Sequence, residues 1–73
     1  MITVYTTKSC RYCPMVKMYL SKLGADYIVV DCTDDISLAQ PAIDLSGAFS
    51  FPQTVSGDRV VVGYNANKLK ELV

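Results

Sequence analysis

Seventy-three residues, with seven Lys and Arg balanced by seven Asp and Glu and no histidine, are enough for one small domain, residues 1–73, and too few for a second. The even charge excludes a broad basic field for nucleic acid, and the missing histidine removes the commonest general base and zinc ligand, leaving thiols as the reactive groups near neutral pH. No apolar run approaches the roughly 20 residues needed to span a bilayer, and the N-terminus lacks a basic-then-apolar leader, so a soluble, monomeric cytoplasmic protein is expected.

In chain order, Met1-Ile2-Thr3-Val4-Tyr5 reads as a first strand. Pro14 cannot donate to the carbonyl of Cys10, so the first helix should begin close to Cys10; its apolar stripe is Met15, Val16, Tyr19, Leu20 and Leu23, and Gly24 ends it. Tyr27-Ile28-Val29-Val30 is a continuous β-branched run of the kind found in a parallel strand covered on both faces, beside strand one. Asp34, Asp35 and Ser37 offer caps, and Pro41 requires a first-turn position. A second helix is therefore expected from Ser37 to Ser46-Gly47, its apolar set being Leu38, Ala42 and Leu45.

Gln53-Thr54-Val55 and Val60-Val61-Val62 flank Ser56-Gly57-Asp58-Arg59, the pattern of an antiparallel hairpin with a glycine turn. Asn65 or Asn67 then caps a last helix carrying Leu69, Leu72 and Val73. The order is β-α-β-α-β-β-α, an α/β arrangement whose first crossover should be right-handed.

The chemistry concentrates in Cys10-Arg11-Tyr12-Cys13. Two cysteines two residues apart can close a disulfide over one helical turn, and a helix N-terminus favours the thiolate of the first. Cys10 is the expected nucleophile, with Lys8 and Arg11 adding positive charge. Cys13, one turn further in, suits attack on a mixed disulfide at Cys10. Half a zinc site is the competing reading, but a closed site wants four ligands and Cys32 is the single remaining thiol. Cys32 follows a strand and reads as a small buried hydrophobe. Tyr12 either shields the thiolate and packs a substrate or is an ordinary partly buried tyrosine. Lys17 and Lys22 read as a solvated face. Taken by itself, Pro52 should be trans, since only about 5–6% of such bonds in folded proteins are cis.

Lys8 to Cys13 followed by Lys17, then Ser46-Gly47 ahead of Pro52, then Val62-Gly63-Tyr64-Asn65, resemble the glutaredoxins along essentially the whole chain. The resemblance implies a minimal thioredoxin fold, with a four-stranded mixed sheet and helices on both faces. It also implies a cis Pro52 close to Cys10. Glutathione would serve as reducing co-substrate, with no tightly bound cofactor. Phe51 would offer its backbone N–H and C=O to the cysteinyl part of glutathione, Lys8 and Tyr12 would line the groove, and Gly63, Tyr64 and Asn65 would receive the γ-glutamyl group. The implied activity is reduction of protein disulfides and glutathione mixed disulfides, with electron donation to ribonucleotide reductase.

Three positions depart from the family pattern. Arg11 stands where many dithiol members have proline, Ala48-Phe49 where members often carry a basic or amide residue, and Asn65 where aspartate is usual. These departures point also to the related redoxins reduced by thioredoxin reductase. A reading of another class is a module that coordinates metal or bridges an iron–sulfur cluster through Cys10 and glutathione.

Overall fold

The computed structural model describes residues 2–73, so Met1, expected in the first strand, lies outside the described residues. Strand β1 (Ile2–Thr6) is central: it pairs in parallel with β2 (Tyr27–Asp31) on one side and antiparallel with β3 (Gln53–Ser56) on the other. Strand β4 (Arg59–Val62) pairs antiparallel with β3, giving a mixed sheet in the order β2-β1-β3-β4. Ser56 faces Arg59 across a two-residue turn, and Gly57 at its head has φ +62°, the positive value such hairpins require. The expected topology and the mixed four-stranded sheet are both present.

Alternation along β1 divides the core between the two faces of the sheet. Ile2 and Val4 pack with Val16 and Leu20 of α1 (Cys13–Lys22), with Val61, and with Leu69 of α3 (Ala66–Glu71). Tyr5 packs on the opposite face with Val55, Cys32, Ala39 and the Ala42 and Ile43 side chains of α2 (Gln40–Ser46). Helices therefore cover both faces, α1 and α3 on one and α2 on the other.

Several sequence expectations are corrected in detail. Helix α1 starts at Cys13, three residues after Cys10, and its ladder opens with the Val16 N–H donating to the Tyr12 carbonyl at 3.1 Å. Pro14 still falls in the first turn, where its missing N–H costs nothing, and Cys10 sits on the turn before the helix, its N–H donating to Thr7. Strand β2 is an edge strand with Ile28 and Val29 exposed, so its apolar run is not covered on both faces as expected. The second helical segment begins as a 3-10 turn (Ile36–Ala39) capped by Asp35, which accepts the Ser37 N–H at 3.0 Å, and continues into α2 until Gly47, φ +72°. Ala39, Ala42 and Ile43 are its buried residues, while Leu38 and Leu45 are largely exposed. Met15 and Val73 are likewise exposed rather than core. The Phe51-Pro52 peptide is cis, as the family resemblance implied and against the expectation for Pro52 taken by itself.

Candidate active site

The strand directions bring four segments to one end of the sheet. Strands β1, β2 and β4 run the same way and β3 runs against them, so the chain after Thr6, after Asp31 and after Val62 meets the chain just before Gln53. Those segments carry Lys8 to Cys13, Cys32-Thr33, Gly63 to Asn65, and Phe51-Pro52. Backbone hydrogen bonds tie them together: Cys32 N–H donates to Thr6 at 2.7 Å and Gly63 N–H to Pro52 at 2.7 Å. Every residue singled out from the sequence as a site candidate lies at this end.

Cys10 and Cys13 are joined by a disulfide, their Cα atoms 5.6 Å apart. The two sulfurs are unequally placed. Cys13 is the first residue of α1 and is 2% exposed, whereas Cys10 is partly open to solvent. An incoming disulfide can therefore reach Cys10, and Cys13 can reach only what is already attached there. Tyr12, between them, is exposed and caps the helix through its backbone without a side-chain hydrogen bond.

The loop leading to Cys10 is held by a relay that the sequence did not reveal. The Lys8 N–H donates to the Thr33 hydroxyl at 2.9 Å, and that hydroxyl donates in turn to the Asp31 carboxylate. The Thr33 N–H donates to the same carboxylate oxygen at 2.9 Å. The two Thr33 hydrogen bonds, helped by the Lys8 charge, hold the Asp31 carboxyl below its usual range. Lys8 thus serves the loop's anchor as well as offering a charge near the dithiol.

A second network fixes the segment before β3. Gln53 is fully buried; its Oε1 accepts from the Ser46 hydroxyl at 2.7 Å and its amide donates to the Ala48 and Ser50 carbonyls at 2.9 Å each. The amide is fully employed, as a buried polar side chain must be. Phe51 packs beside the α2-side core, and Pro52 is buried. Across the site, Asn65 caps α3, its Oδ1 accepting the Lys68 N–H at 3.2 Å, and Tyr64 stands edge-on to Tyr19 with ring centroids 6.2 Å apart.

Cys32 is fully buried among Tyr5, Ala39 and Ala42. Burial, with Asp31 adding to it, pushes its thiol pKa up, so it is a poor nucleophile in the folded chain. Among the described residues, no group of three or more His, Cys, Asp or Glu side chains is arranged to hold a metal ion, and no helix is long and apolar enough to cross a membrane.

A four-stranded α/β sheet with a Cys-x-x-Cys disulfide at the start of its first helix defines a thiol–disulfide oxidoreductase of the thioredoxin fold. The glutaredoxin family model matches residues 2–61, and the chain belongs to that family. It is 33% identical over 73 residues to the gene 56 protein of Mycobacterium phage D29, covering 99% of this chain and 81% of that one. The solved glutaredoxin of Archaeoglobus fulgidus is 30% identical, with a TM-score of 0.81 covering 97% of this chain and 83% of that chain. The NrdH-redoxin of Escherichia coli, a glutaredoxin-like protein with a thioredoxin-like activity profile, is 25% identical, with a TM-score of 0.80 covering 99% and 93%.

Proposed function

We propose that this oxidoreductase takes its electrons from glutathione and passes them to protein disulfides and glutathione mixed disulfides, ribonucleotide reductase among its partners. The observation that carries the reading is the meeting of the dithiol with the Phe51-Pro52 and Gly63-to-Asn65 segments at one end of the sheet. Lys8 and Tyr12 line the groove beside Cys10. Phe51 presents backbone groups to the cysteinyl part of glutathione, and Gly63, Tyr64 and Asn65 receive its γ-glutamyl end. The protein works as a soluble monomer in the reducing cytoplasm, without a tightly bound cofactor.

In the reducing direction, the Cys10 thiolate attacks one sulfur of a substrate disulfide and expels the other as a thiolate. The Cys13 thiolate then attacks the Cys10 sulfur, closing the Cys10–Cys13 disulfide and releasing the second substrate thiol. Two electrons pass to the substrate, which takes up two protons. Two molecules of glutathione restore the dithiol and leave as oxidised glutathione.

A second reading, reduction by thioredoxin reductase, is favoured by the likeness to NrdH-redoxin and by Asn65. Its carboxamide is engaged as a helix cap and offers no negative charge to a γ-glutamyl ammonium. The experiment that separates them is a side-by-side reduction assay with glutathione plus glutathione reductase and with thioredoxin reductase. Turnover confined to the glutathione system supports the first reading; turnover confined to thioredoxin reductase replaces it with the second. Iron–sulfur bridging through Cys10 and glutathione is a third role, and a coloured, iron-containing preparation would be its signature.

A further inference from the structure

The outer side of α1 carries exposed apolar side chains that no other element covers among the described residues. Residues 12, 15, 19 and 22 recur at helical spacing and so share one side of the helix. Tyr12 and Met15 are each nearly half exposed, and Met18 beside them is 74% exposed. Met15, Met18, Tyr19, Lys22 and Tyr64 line an open groove of about 220 Å³, with Tyr64 set against Tyr19 as its wall. The stripe starts between the two cysteines, at Tyr12, so the groove lies along the helix that leads away from the dithiol.

Lys22 is the one charged residue in its lining, and the chain through the dithiol and α1 is basic. Residues 8–22 contain Lys8, Arg11, Lys17 and Lys22 and no Asp or Glu, whereas residues 23–58 contain Asp26, Asp31, Asp34, Asp35, Asp44 and Asp58 and no Lys or Arg. The stretch through the dithiol and α1 is thus basic, and the carboxylate tied to it, Asp31, is engaged by Thr33. Lys22 lines the groove, and Arg11 is exposed between the two cysteines. The ten residues of α1 span about 15 Å, the reach of roughly four or five extended residues.

We propose that this groove docks the disulfide-bearing segment of the protein substrate, and that the segment is extended, apolar at its centre and acidic toward its end, about five residues from the reacting cysteine. Apolar side chains seat against Tyr64 and against Met15 and Met18, whose flexible thioethers accept varied shapes, and the acidic residues meet Lys22. Arg11 attracts the same segment at the dithiol end, so encounter is steered as well as bound. The inference rests on the disulfide-reductase reading. The reaction is the one already written: the Cys10 thiolate takes one substrate sulfur, Cys13 closes the disulfide, and two electrons and two protons leave with the reduced peptide.

The test uses fully reduced protein and disulfide-linked homodimers of two synthetic peptides, each a cysteine followed by leucines and ending in either Glu-Glu or Lys-Lys. Stopped-flow rates at low ionic strength should favour the Glu peptide by about tenfold, and added salt should narrow the gap. Lys22→Glu should slow the Glu peptide and speed the Lys peptide. Met18→Ser should slow both by about fourfold, the worth of one buried methylene, and leave the charge preference as it was. The small neutral substrate 2-hydroxyethyl disulfide should react equally fast with parent and both variants. Equal rates for the two peptides, or a preference that Lys22→Glu leaves untouched, would overturn the groove assignment while the dithiol chemistry stands. A parent inert toward 2-hydroxyethyl disulfide would overturn the reductase reading and this inference with it.

Discussion

The backbone N–H of Lys8 and the side-chain hydroxyl of Thr33, 25 residues apart in sequence, are 2.9 Å from each other. This bond anchors the loop that delivers Cys10 to the end of β2, and Thr33 passes it on to Asp31.

Replacing Thr33 with valine removes the acceptor for Lys8 and both the hydroxyl and its tie to Asp31. The Asp31 carboxyl is held below its ordinary value of 3.8 chiefly by Thr33, so it contributes stability above that value and loses it as pH falls through the lowered folded one. Thr33→Val should therefore be less stable than the parent at neutral pH, with the difference shrinking in strong acid. Denaturant titrations across pH report this; a gap that stays constant into acid would refute the relay.

Thr54 makes the opposite prediction. It pairs with Val4 and Val61 in the sheet, is fully buried, and its hydroxyl finds no partner among the described residues. Valine has nearly the same shape without the hydroxyl, so Thr54→Val should stabilise the protein by about 1 kcal/mol, the usual cost of an unmade buried hydrogen bond. Chemical denaturation measures it, and a loss of stability would show that the hydroxyl is satisfied.

Cys32 fills the α2 side of the core away from solvent. Cys32→Ala should cost about 1–2 kcal/mol in stability and leave turnover unchanged. Because burial raises the folded thiol's pKa above 9.0, its neutral form supports the fold below that pH, and the support fades as pH rises. The parent should accordingly lose stability faster than the variant in alkali. Iodoacetamide should leave Cys32 unlabelled in the oxidised folded chain and label it on unfolding; turnover lost at unchanged stability would give Cys32 a part in the chemistry.

Asn65 tests which reductant the groove is built for. Aspartate caps helices as well as asparagine does and suits the positive helix end, so Asn65→Asp should fold normally. If Asn65 receives the γ-glutamyl ammonium, the new charge roughly doubles the strength of that hydrogen bond and lowers the Michaelis constant for glutathione, most at low salt. An unchanged constant would move the reading to thioredoxin reductase.

The local signals were legible in the sequence: Pro14 and Gly24 bracket α1, Gly57 turns the hairpin, and Asn65, one of the two asparagines offered, caps α3. The dithiol and its place before a helix were legible too, though Pro14 fixes only that the helix starts nearby, and the ladder waits until Tyr12. What failed depended on neighbours distant in the chain. Nothing in Tyr27 to Val30 says that β2 ends the sheet, because strand order is decided by β3 taking the other side of β1. Helical spacing put Met15 on the apolar stripe, yet spacing does not say whether another element covers that stripe, and Met15 stays exposed among the described residues. Thr33 and Gln53 were missed because their partners are remote or lie in loop backbone. A local clue to Thr33 did exist: Asp31-Cys32-Thr33 and Asp35-Ile36-Ser37 both place a carboxylate two residues before a hydroxyl, and in both the carboxylate accepts from that residue's N–H and hydroxyl.

The division of labour between the two cysteines is most directly tested by trapping. With the resolving thiol replaced in Cys13→Ser, a protein disulfide substrate should accumulate as a stable mixed disulfide, and peptide mapping by mass spectrometry should find the link at Cys10. Exposure at Cys10 and burial at Cys13 predict that outcome. A link at Cys32, or undiminished turnover of the protein disulfide with no trapped species, would contradict the two-thiol account.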